Sequence, residues 1–170
     1  MGDGRSSVVK TYLEITDPDR LRAPQRPARR AFELERISDP ALNRWYYEHV
    51  GADYAWTDRL GWSDEQWRGW EARVETWAVI VDAVRAGYFE LEPYPARGMV
   101  QLAYFGLLPS YHGFGIGGHV LTQALRRGFE LAPKVMVSTN TSDGPHALAN
   151  YKARGMRVIR RVQVGARTGS

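Results

Sequence analysis

Alternating apolar and polar positions predict two strands near the start of the chain. From Val8 to Ile15 every second residue is apolar or β-branched, and the stretch from Ala31 to Ile37 alternates in the same way. Between them, Arg20 to Arg30 contains two prolines and five arginines. We expect this segment to form an exposed loop, because proline interrupts regular structure and arginine favours solvent.

Two helices are predicted next, and each begins at a capping sequence. Asp39 precedes Pro40, so a capping carboxylate stands before a proline at the first helical position, and this helix should reach about Val50. Ser63 and Gln66 have the spacing of a capping box, which opens a second, short helix.

Three further strands are predicted in the middle of the chain. Thr76 to Arg85 is rich in β-branched residues, Ala86-Gly87 is expected to turn the chain, and Tyr88 to Glu92 pairs back as a hairpin. After a connection over Pro93 to Gly98, Met99 to Leu108 forms a central strand. The end of this strand is an unbroken apolar run, which is typical of a strand buried on both faces.

A glycine-rich segment follows the central strand directly. Four of six consecutive residues are glycine: Gly113, Gly115, Gly117 and Gly118. A helical pattern from Val120 to Phe129 comes next. Glycine lets the backbone approach a ligand closely, and the start of a helix offers unpaired N–H groups and a positive dipole end. The segment therefore predicts an anion site, with a pyrophosphate as the first hypothesis.

Two common phosphate-binding motifs fit this segment poorly. The spacing Gly113-x-Gly115-x-x-Gly118 matches a dinucleotide fingerprint, but only 52 residues follow it, too few for a doubly wound domain. A Walker loop would continue with lysine and serine or threonine, whereas His119 and Val120 follow Gly118.

The segment HGFGIG, from His112 to Gly117, resembles the acetyl-CoA loop of the GNAT acetyltransferases, which reads Gln/Arg-x-x-Gly-x-Gly/Ala after a strand. Downstream, Ala147 to Met156 resembles their second signature, Ala-x-x-x-Tyr-x-x-x-Gly-Phe, with methionine in the last position. We predict a strand over Lys134 to Asn140, between the two motifs, and a helix over Gly144 to Arg154, which carries the second motif. A last strand should reach Val164.

This resemblance implies an α/β fold with a mixed, mostly antiparallel central sheet flanked by helices, in the family's element order with one extra N-terminal strand. It covers about Val100 to Val164, and agreement in element order extends it to about Ala31. We expect a single domain over residues 1–170, with residues 1–7 and 165–170 as flexible tails.

The resemblance also implies acetyl-CoA as the acetyl donor and assigns residues to it. In the family, the central strand diverges from its neighbour, and the pantetheine arm lies between them. The implied binding residues are Gly106, Leu107 and Leu108 for pantetheine, His112, Gly113, Phe114, Gly115, Ile116, Gly117 and Gly118 for the diphosphate, and Asn140 for the pantetheine or adenine end. No metal is expected, because the histidines have no metal-ligand spacing and cysteine is absent.

Tyr151 stands where the family places a general acid near the CoA sulfur, although a tyrosine on an apolar helix face can also be a core residue. A general base is unassigned: Gln101 occupies the position where many members carry glutamate, and an amide cannot accept the proton. The remaining acidic candidates are Glu90, Glu92, Asp53, Asp58 and Glu65.

All six tryptophans lie between Trp45 and Trp77, a region that covers the acceptor site in the family. Stacked aromatic rings could hold a planar or cationic acceptor, or they could anchor the two short helices to the sheet. The candidate acceptor residues are Tyr47, Tyr54, Trp56, Arg59, Trp62 and Gln101. Arg59 could pair with an acceptor carboxylate.

We therefore expect an enzyme that moves an acetyl group to a primary amine of a small molecule by direct attack. A non-catalytic CoA-binding sensor of the same fold and a protein lysine or N-terminal acetyltransferase remain as alternatives. Each of these three possibilities is compatible with a homodimer.

Composition adds few constraints. The net charge of +4 suits an anionic ligand but does not require nucleic acid, and the arginines between Arg20 and Arg30 lack interleaved aromatic residues. The absence of cysteine, of a long apolar run and of a signal-peptide core favours the cytoplasm and predicts no membrane partner.

Overall fold

The computed structural model describes residues 8–54, 56–143 and 145–164, so the predicted tails lie outside the described residues. The described part forms seven strands and four α-helices in the predicted order. They are β1 (Val8–Ile15), β2 (Glu33–Ile37), α1 (Pro40–Gly51), α2 (Asp64–Arg73), β3 (Glu75–Val81), β4 (Val84–Tyr94), β5 (Met99–Leu107), α3 (Ile116–Leu131), β6 (Lys134–Asn140), α4 (Pro145–Ala153) and β7 (Arg157–Val164).

The seven strands make one mixed sheet in the order β2-β3-β4-β5-β6-β1-β7. Among the strands of the described residues, only the β5–β6 pair is parallel, and every other pair is antiparallel. The extra N-terminal strand β1 lies inside the sheet, between β6 and β7. The expected fold class is confirmed.

The sheet opens in its middle because β5 and β6 are paired over only part of their length. Their register runs from Met99 opposite Lys134 to Leu102 opposite Val137, and it stops there. Beyond that point, the end of β5 pairs only with β4 and the end of β6 only with β1. The two parallel strands therefore diverge toward their C-terminal ends.

The predicted hairpin is present, but its turn lies four residues earlier than expected. Asp82 and Ala83 both have positive φ, 50° and 63°, so they form the two-residue turn and β4 starts at Val84. Gly87 is a strand residue, where a Cβ would overlap the carbonyl oxygen of Gly106 on β5. This glycine permits close strand packing and does not turn the chain.

The helix after the glycine segment begins earlier than its apolar pattern indicated. Gly115 is the N-cap, with φ 71°, and α3 starts at Ile116. Gly117 and Gly118 consequently lie in the first turn of the helix, and the loop contains only the first two glycines of the cluster.

Helices cover both faces of the sheet. On one face, α3 buries Val120, Leu121 and Leu125 against the strands, in the cluster that also contains Tyr151. On the other face, Tyr46 and Val50 of α1 pack with Tyr88 of β4.

Both predicted caps are confirmed and fix where the helices of the second face begin. Asp39 accepts a hydrogen bond from Ala41 N at 3.0 Å. Ser63 and Gln66 form the reciprocal capping box at α2.

Candidate active site

A cavity of about 1040 Å³ lies where β5 and β6 diverge. One wall is the end of β5, from Leu102 to Leu107, and the other is formed by β6 and α4. The start of α3 and the loop between α1 and α2 complete it. The divergence of two neighbouring strands therefore creates a deep cleft that reaches from one helix start to the opposite loop.

Most of the residues predicted to bind a phosphate-bearing donor line this cavity. They are Gly106, Leu107, His112, Gly113, Gly115, Ile116, Gly117 and Asn140. Three predicted residues lie outside its lining. The Leu108 N–H donates to Ala86 O at 2.7 Å, and the Phe114 carbonyl accepts from Arg29 N at 2.9 Å. Gly118 packs beside Pro24 and Arg154.

The start of α3 has the geometry of an anion site. Gly113 and Gly115 adopt φ values of 86° and 71°, which side-chain-bearing residues rarely reach. Gly115 provides no side-chain cap. Ile116 and Gly117 follow at the cavity wall, so the N–H groups of the first helical turn are available to a ligand.

His112 is turned toward the end of β5 and the opposite loop. Its Nε2 lies 2.9 Å from Leu107 O and 3.3 Å from the Tyr54 hydroxyl. Because a carbonyl oxygen only accepts, Nε2 carries the proton and donates it to Leu107. The ring thus links the glycine loop to the loop after α1, whereas the sequence suggested a contact with phosphate.

Tyr151 lines the cavity from α4 and is 6% exposed. Burial raises the pKa of its phenol well above the ordinary value, and the nearby Asp143 and Tyr54 raise it further. The phenol therefore keeps its proton at every physiological pH and can act as a donor.

The opposite end of the cavity is aromatic and acidic. Tyr54 and Trp56 stack with ring centroids 5.7 Å apart, and Trp56 meets Tyr104 edge to face at 4.5 Å. Asp53 and Asp58 also line this end. A cation with an apolar body would find both charge complementarity and aromatic contact there.

Arg59 does not reach the cavity. It is 5% exposed, and its Nη1 lies 3.0 Å from Glu90 Oε1 and 3.1 Å from Oε2. Trp70 and Tyr104 lie over its guanidinium at 4.1 and 4.3 Å. This internal pair replaces the contact with an acceptor carboxylate that the sequence suggested.

The other three acceptor candidates also lie outside the cavity lining. Tyr47 is fully buried, and its hydroxyl accepts from Arg59 N at 3.1 Å. Trp62 lines a separate groove of about 310 Å³. Gln101 pairs in register with Glu92 and Met136 in the sheet.

The structure reduces the number of acidic residues that could act as the general base. Glu90 is held by Arg59 and by Trp70 Nε1 at 3.0 Å. Glu92 is bonded to Arg73 and to the Tyr94 hydroxyl. Glu65, in the first turn of α2, is absent from the lining, which leaves Asp53 and Asp58 at the cavity.

Several lining residues escaped the sequence analysis. Lys10 reaches the cavity because β1 lies beside β6, with Lys10 opposite Asn140. Nothing local in the sequence indicates this neighbour. Tyr104 and Phe105 lay inside the recognised apolar strand, and their position at its diverging end was the signal that could have identified them.

No group of three or more histidine or acidic side chains suited to a metal occurs within residues 8–54, 56–143 and 145–164. Over the same residues, no helix has both the length and the apolar content needed to cross a membrane.

Comparison with known proteins gives one family. A sequence profile of the acetyltransferase (GNAT) family matches residues 35–156. Comparison with curated protein sequences gives no match.

Several solved structures share the fold. A GCN5-related N-acetyltransferase from Kribbella flavida aligns over 96% of this chain, with a TM-score of 0.66 and 19% identity. Another from Sphaerobacter thermophilus aligns over 91%, with a TM-score of 0.62 and 19% identity. An IAA acetyltransferase from Bacillus cereus ATCC 14579 aligns over 76%, with a TM-score of 0.57 and 19% identity. The present chain spans 61%, 50% and 79% of these three proteins, respectively.

Proposed function

Because this chain belongs to the acetyltransferase (GNAT) family, we propose that it transfers an acetyl group from acetyl-CoA to a primary amine of a small molecule. The observation that carries the proposal is the continuity of one cavity. It joins the start of α3, where the N-cap Gly115 offers no side-chain hydrogen bond, to Tyr151 and then to the aromatic and acidic loop after α1. Under this proposal, donor, proton source and acceptor would share one space.

The residues along the cavity fit CoA. Anionic phosphates suit the N–H groups at the start of α3, and an extended pantetheine arm suits the edge of β5 that β6 leaves unpaired. Bound there, acetyl-CoA would supply an activated thioester. A Cβ on Gly106 would overlap Val50 Cγ1, so this glycine lets the end of β5 pack closely against α1.

Two kinds of proton transfer are needed, and the cavity offers a group for each. Attack by the amine nitrogen on the acetyl carbonyl carbon breaks the carbon–sulfur bond, and the leaving sulfur takes a proton from the Tyr151 hydroxyl. The attacking amine loses a proton, which Asp53 or Asp58 accepts directly or through water. Tyr151 recovers its proton from solvent after the product leaves.

The acceptor end favours a small cationic amine. Tyr54, Trp56 and Tyr104 provide apolar faces, and two carboxylates supply negative charge. An acceptor that is protonated in solution would be attracted there and would be deprotonated before attack.

Calorimetry and thiol release test the proposal in sequence. We expect titration with CoA and with acetyl-CoA to give saturable binding to the full chain, and a panel of small amines to release free thiol from acetyl-CoA. Absence of CoA binding would contradict the proposal. Binding without turnover on any amine or peptide would favour the sensor alternative, and turnover on peptides alone would favour a protein acetyltransferase.

A further inference from the structure

The β6 wall of the cavity extends onto β1 and presents polar side chains there. Side chains alternate between the two faces of a strand, and Leu13 and Val137 lie in the cluster packed against α3. Lys10 and Ser138 therefore lie on the opposite face of the sheet, and both line the cavity. This is the face that α1 covers, in the cluster that also contains Tyr54.

Lys10 supplies the positive charge of this wall. Among the described residues that line the cavity, it is the only lysine or arginine. Its Nζ lies 5.3 Å from the centroid of the Tyr12 ring, and the Arg160 guanidinium approaches the same ring at 5.8 Å. Two cations beside one aromatic ring make the potential positive along this edge of the cavity.

The carboxylates on and beside this wall have partners of their own. Glu14, on the same face of β1, accepts a hydrogen bond from Arg157 at 2.6 Å. Asp143 lines the cavity, and its Oδ2 accepts from Asn140 N at 2.7 Å. The ion pairs formed among the described residues do not include Lys10. Its charge is therefore available to a ligand.

The cavity has charges of opposite sign on its two sides. The loop with Asp53 and Asp58 packs over the end of β5, because a Cβ on Gly106 would approach the rings of that loop. Lys10 lies on the other side of the divergence, beyond β6. Ser138 adds a hydroxyl on the Lys10 side, and an ammonium with a hydroxyl suits the oxygens of a carboxylate or phosphate.

We propose that the acceptor is an amine that also carries a carboxylate or phosphate group, and that Lys10 binds this group with the help of the Ser138 hydroxyl. The inference rests on the proposed function, because it names the substrate class of the same transfer. The amine lies at Asp53 and Asp58, and the anionic group holds the other end of the molecule at β1. Lys10 thus determines specificity without touching the reacting atoms.

The position of Lys10 separates this role from binding of the CoA diphosphate. Ile116, at the start of α3, belongs to the cluster on the face of the sheet that carries Leu13. Lys10 lies on the opposite face, so the proposed diphosphate site and Lys10 are on different sides of the sheet. We therefore expect Lys10 to affect the acceptor and to leave the affinity for acetyl-CoA nearly unchanged.

Thiol release from acetyl-CoA with matched amines tests the substrate class. The anionic amines are 4-aminobutyrate and 2-aminoethyl phosphate, and their neutral counterparts are butylamine and ethanolamine. We expect kcat/KM of the wild type to be about 10-fold or more higher for at least one anionic amine than for its counterpart, chiefly through a lower KM. The better of the two anionic amines identifies the group as carboxylate or phosphate.

Substitutions of Lys10 test its part in this preference. Lys10→Met should reduce kcat/KM for the preferred anionic amine to about that of its neutral counterpart, while kcat/KM for the neutral amine and the Kd for acetyl-CoA stay within about twofold. Lys10→Arg should recover part of the preference. Lys134→Met is the matched control, because Lys134 lies on the same face, pairs with Glu14 at 3.9 Å and is absent from the cavity lining. It should leave the preference unchanged.

Calorimetric titration of the CoA complex with the two anionic amines measures binding without turnover. Equal kcat/KM for anionic and neutral amines in the wild type overturns the inference and leaves the proposed function intact. Weaker acetyl-CoA binding by Lys10→Met, with the acceptor preference unchanged, assigns Lys10 to the donor and also overturns it. Lys10-dependent binding of an anionic amine without any thiol release supports the anionic subsite and contradicts the proposed transfer. Absence of both binding and thiol release with the anionic amines overturns the inference.

Discussion

Arg59 and Glu90 form an ion pair that is closed off from solvent, with Nη1 at 3.0 Å from Oε1 and with 5% and 0% of the two side chains exposed. Arg59 belongs to the loop whose neighbouring residues, Trp56 to Asp58, line the cavity, and Glu90 belongs to β4. The pair therefore holds the proposed acceptor loop against the sheet. Aromatic rings surround it and exclude water.

Removing one partner of this pair should be strongly destabilising. Glu90→Gln or Arg59→Met leaves the other charge buried, so we expect the free energy of unfolding to fall by about 3–5 kcal/mol. Urea unfolding followed by tryptophan fluorescence measures the loss. Glu48→Gln breaks the exposed helical pair with Arg44 and should change stability little. Equal losses of unfolding free energy in Glu90→Gln and Glu48→Gln would contradict the role of burial.

Tyr151→Phe tests the proposed proton donor. Without the hydroxyl, the leaving sulfur has no positioned acid, and we expect kcat to fall by about 100-fold or more while the Kd for CoA stays nearly constant. Tyr111→Phe removes another hydroxyl from the cavity lining and serves as the control. Because the pKa of Tyr151 is raised, the kcat profile should show no loss attributable to this phenol up to about pH 10. An unchanged kcat in Tyr151→Phe would remove it from the mechanism.

Glu75 should make the free energy of unfolding depend on pH in the acidic range. Burial alone would raise the pKa of this carboxyl, but hydrogen bonds from Arg127 and Trp77 and the charges of Arg36 and Arg127 lower it below its ordinary value of 4.5. The folded protein thus binds this proton less readily than the unfolded chain does. The stabilisation is complete above about pH 4.5 and is lost as the pH falls through the lowered pKa.

The difference in unfolding free energy between wild type and Glu75→Gln measures that stabilisation. We expect about 1–3 kcal/mol at pH 7 and a progressively smaller difference below pH 4.5. Glu130→Gln removes a more exposed carboxylate that also pairs with Arg127 and should show a much smaller dependence. A difference that grows on acidification would have the wrong sign for a lowered pKa.

Two glycine-to-alanine substitutions should act in opposite directions. Gly155 has φ 104°, and a Cβ there would overlap the carbonyl oxygen of Arg20, so Gly155→Ala should lower stability by about 2 kcal/mol or more. Gly69 lies in α2 with open space around its Cα, so Gly69→Ala should raise stability by up to about 1 kcal/mol. Thermal unfolding compares them, and a stable Gly155→Ala protein would show that the turn can rearrange.

Local signals in the sequence were sufficient for most element boundaries. The caps at Asp39 and Ser63 mark where α1 and α2 begin, because both signals act through hydrogen bonds within a few residues. The turn at Asp82 and Ala83 was missed because Gly87 is the stronger local turn residue. Its absent side chain instead serves the approach of β5, which comes from a distant part of the sequence.

More of the predicted donor residues than of the predicted acceptor residues line the cavity. Glycines at 113, 115 and 117 predict a backbone site through their own chemistry, and all three lie in the cavity lining. Arg59 could not be assigned from sequence, since its environment depends on Glu90, 31 residues away. A charged residue next to aromatic residues has the same pattern whether it faces a ligand or a buried counter-ion.

The position of β1 has a consequence for synthesis on the ribosome. Val8 pairs with Val164, so one edge of β1 cannot form its backbone hydrogen bonds until β7 has been synthesised. Such distant pairing gives high contact order and slow folding, and because β6 is also late in the chain, both edges of β1 stay open until β6 has emerged. Chaperone dependence and aggregation during expression should therefore centre on this strand, and slower translation would give little protection.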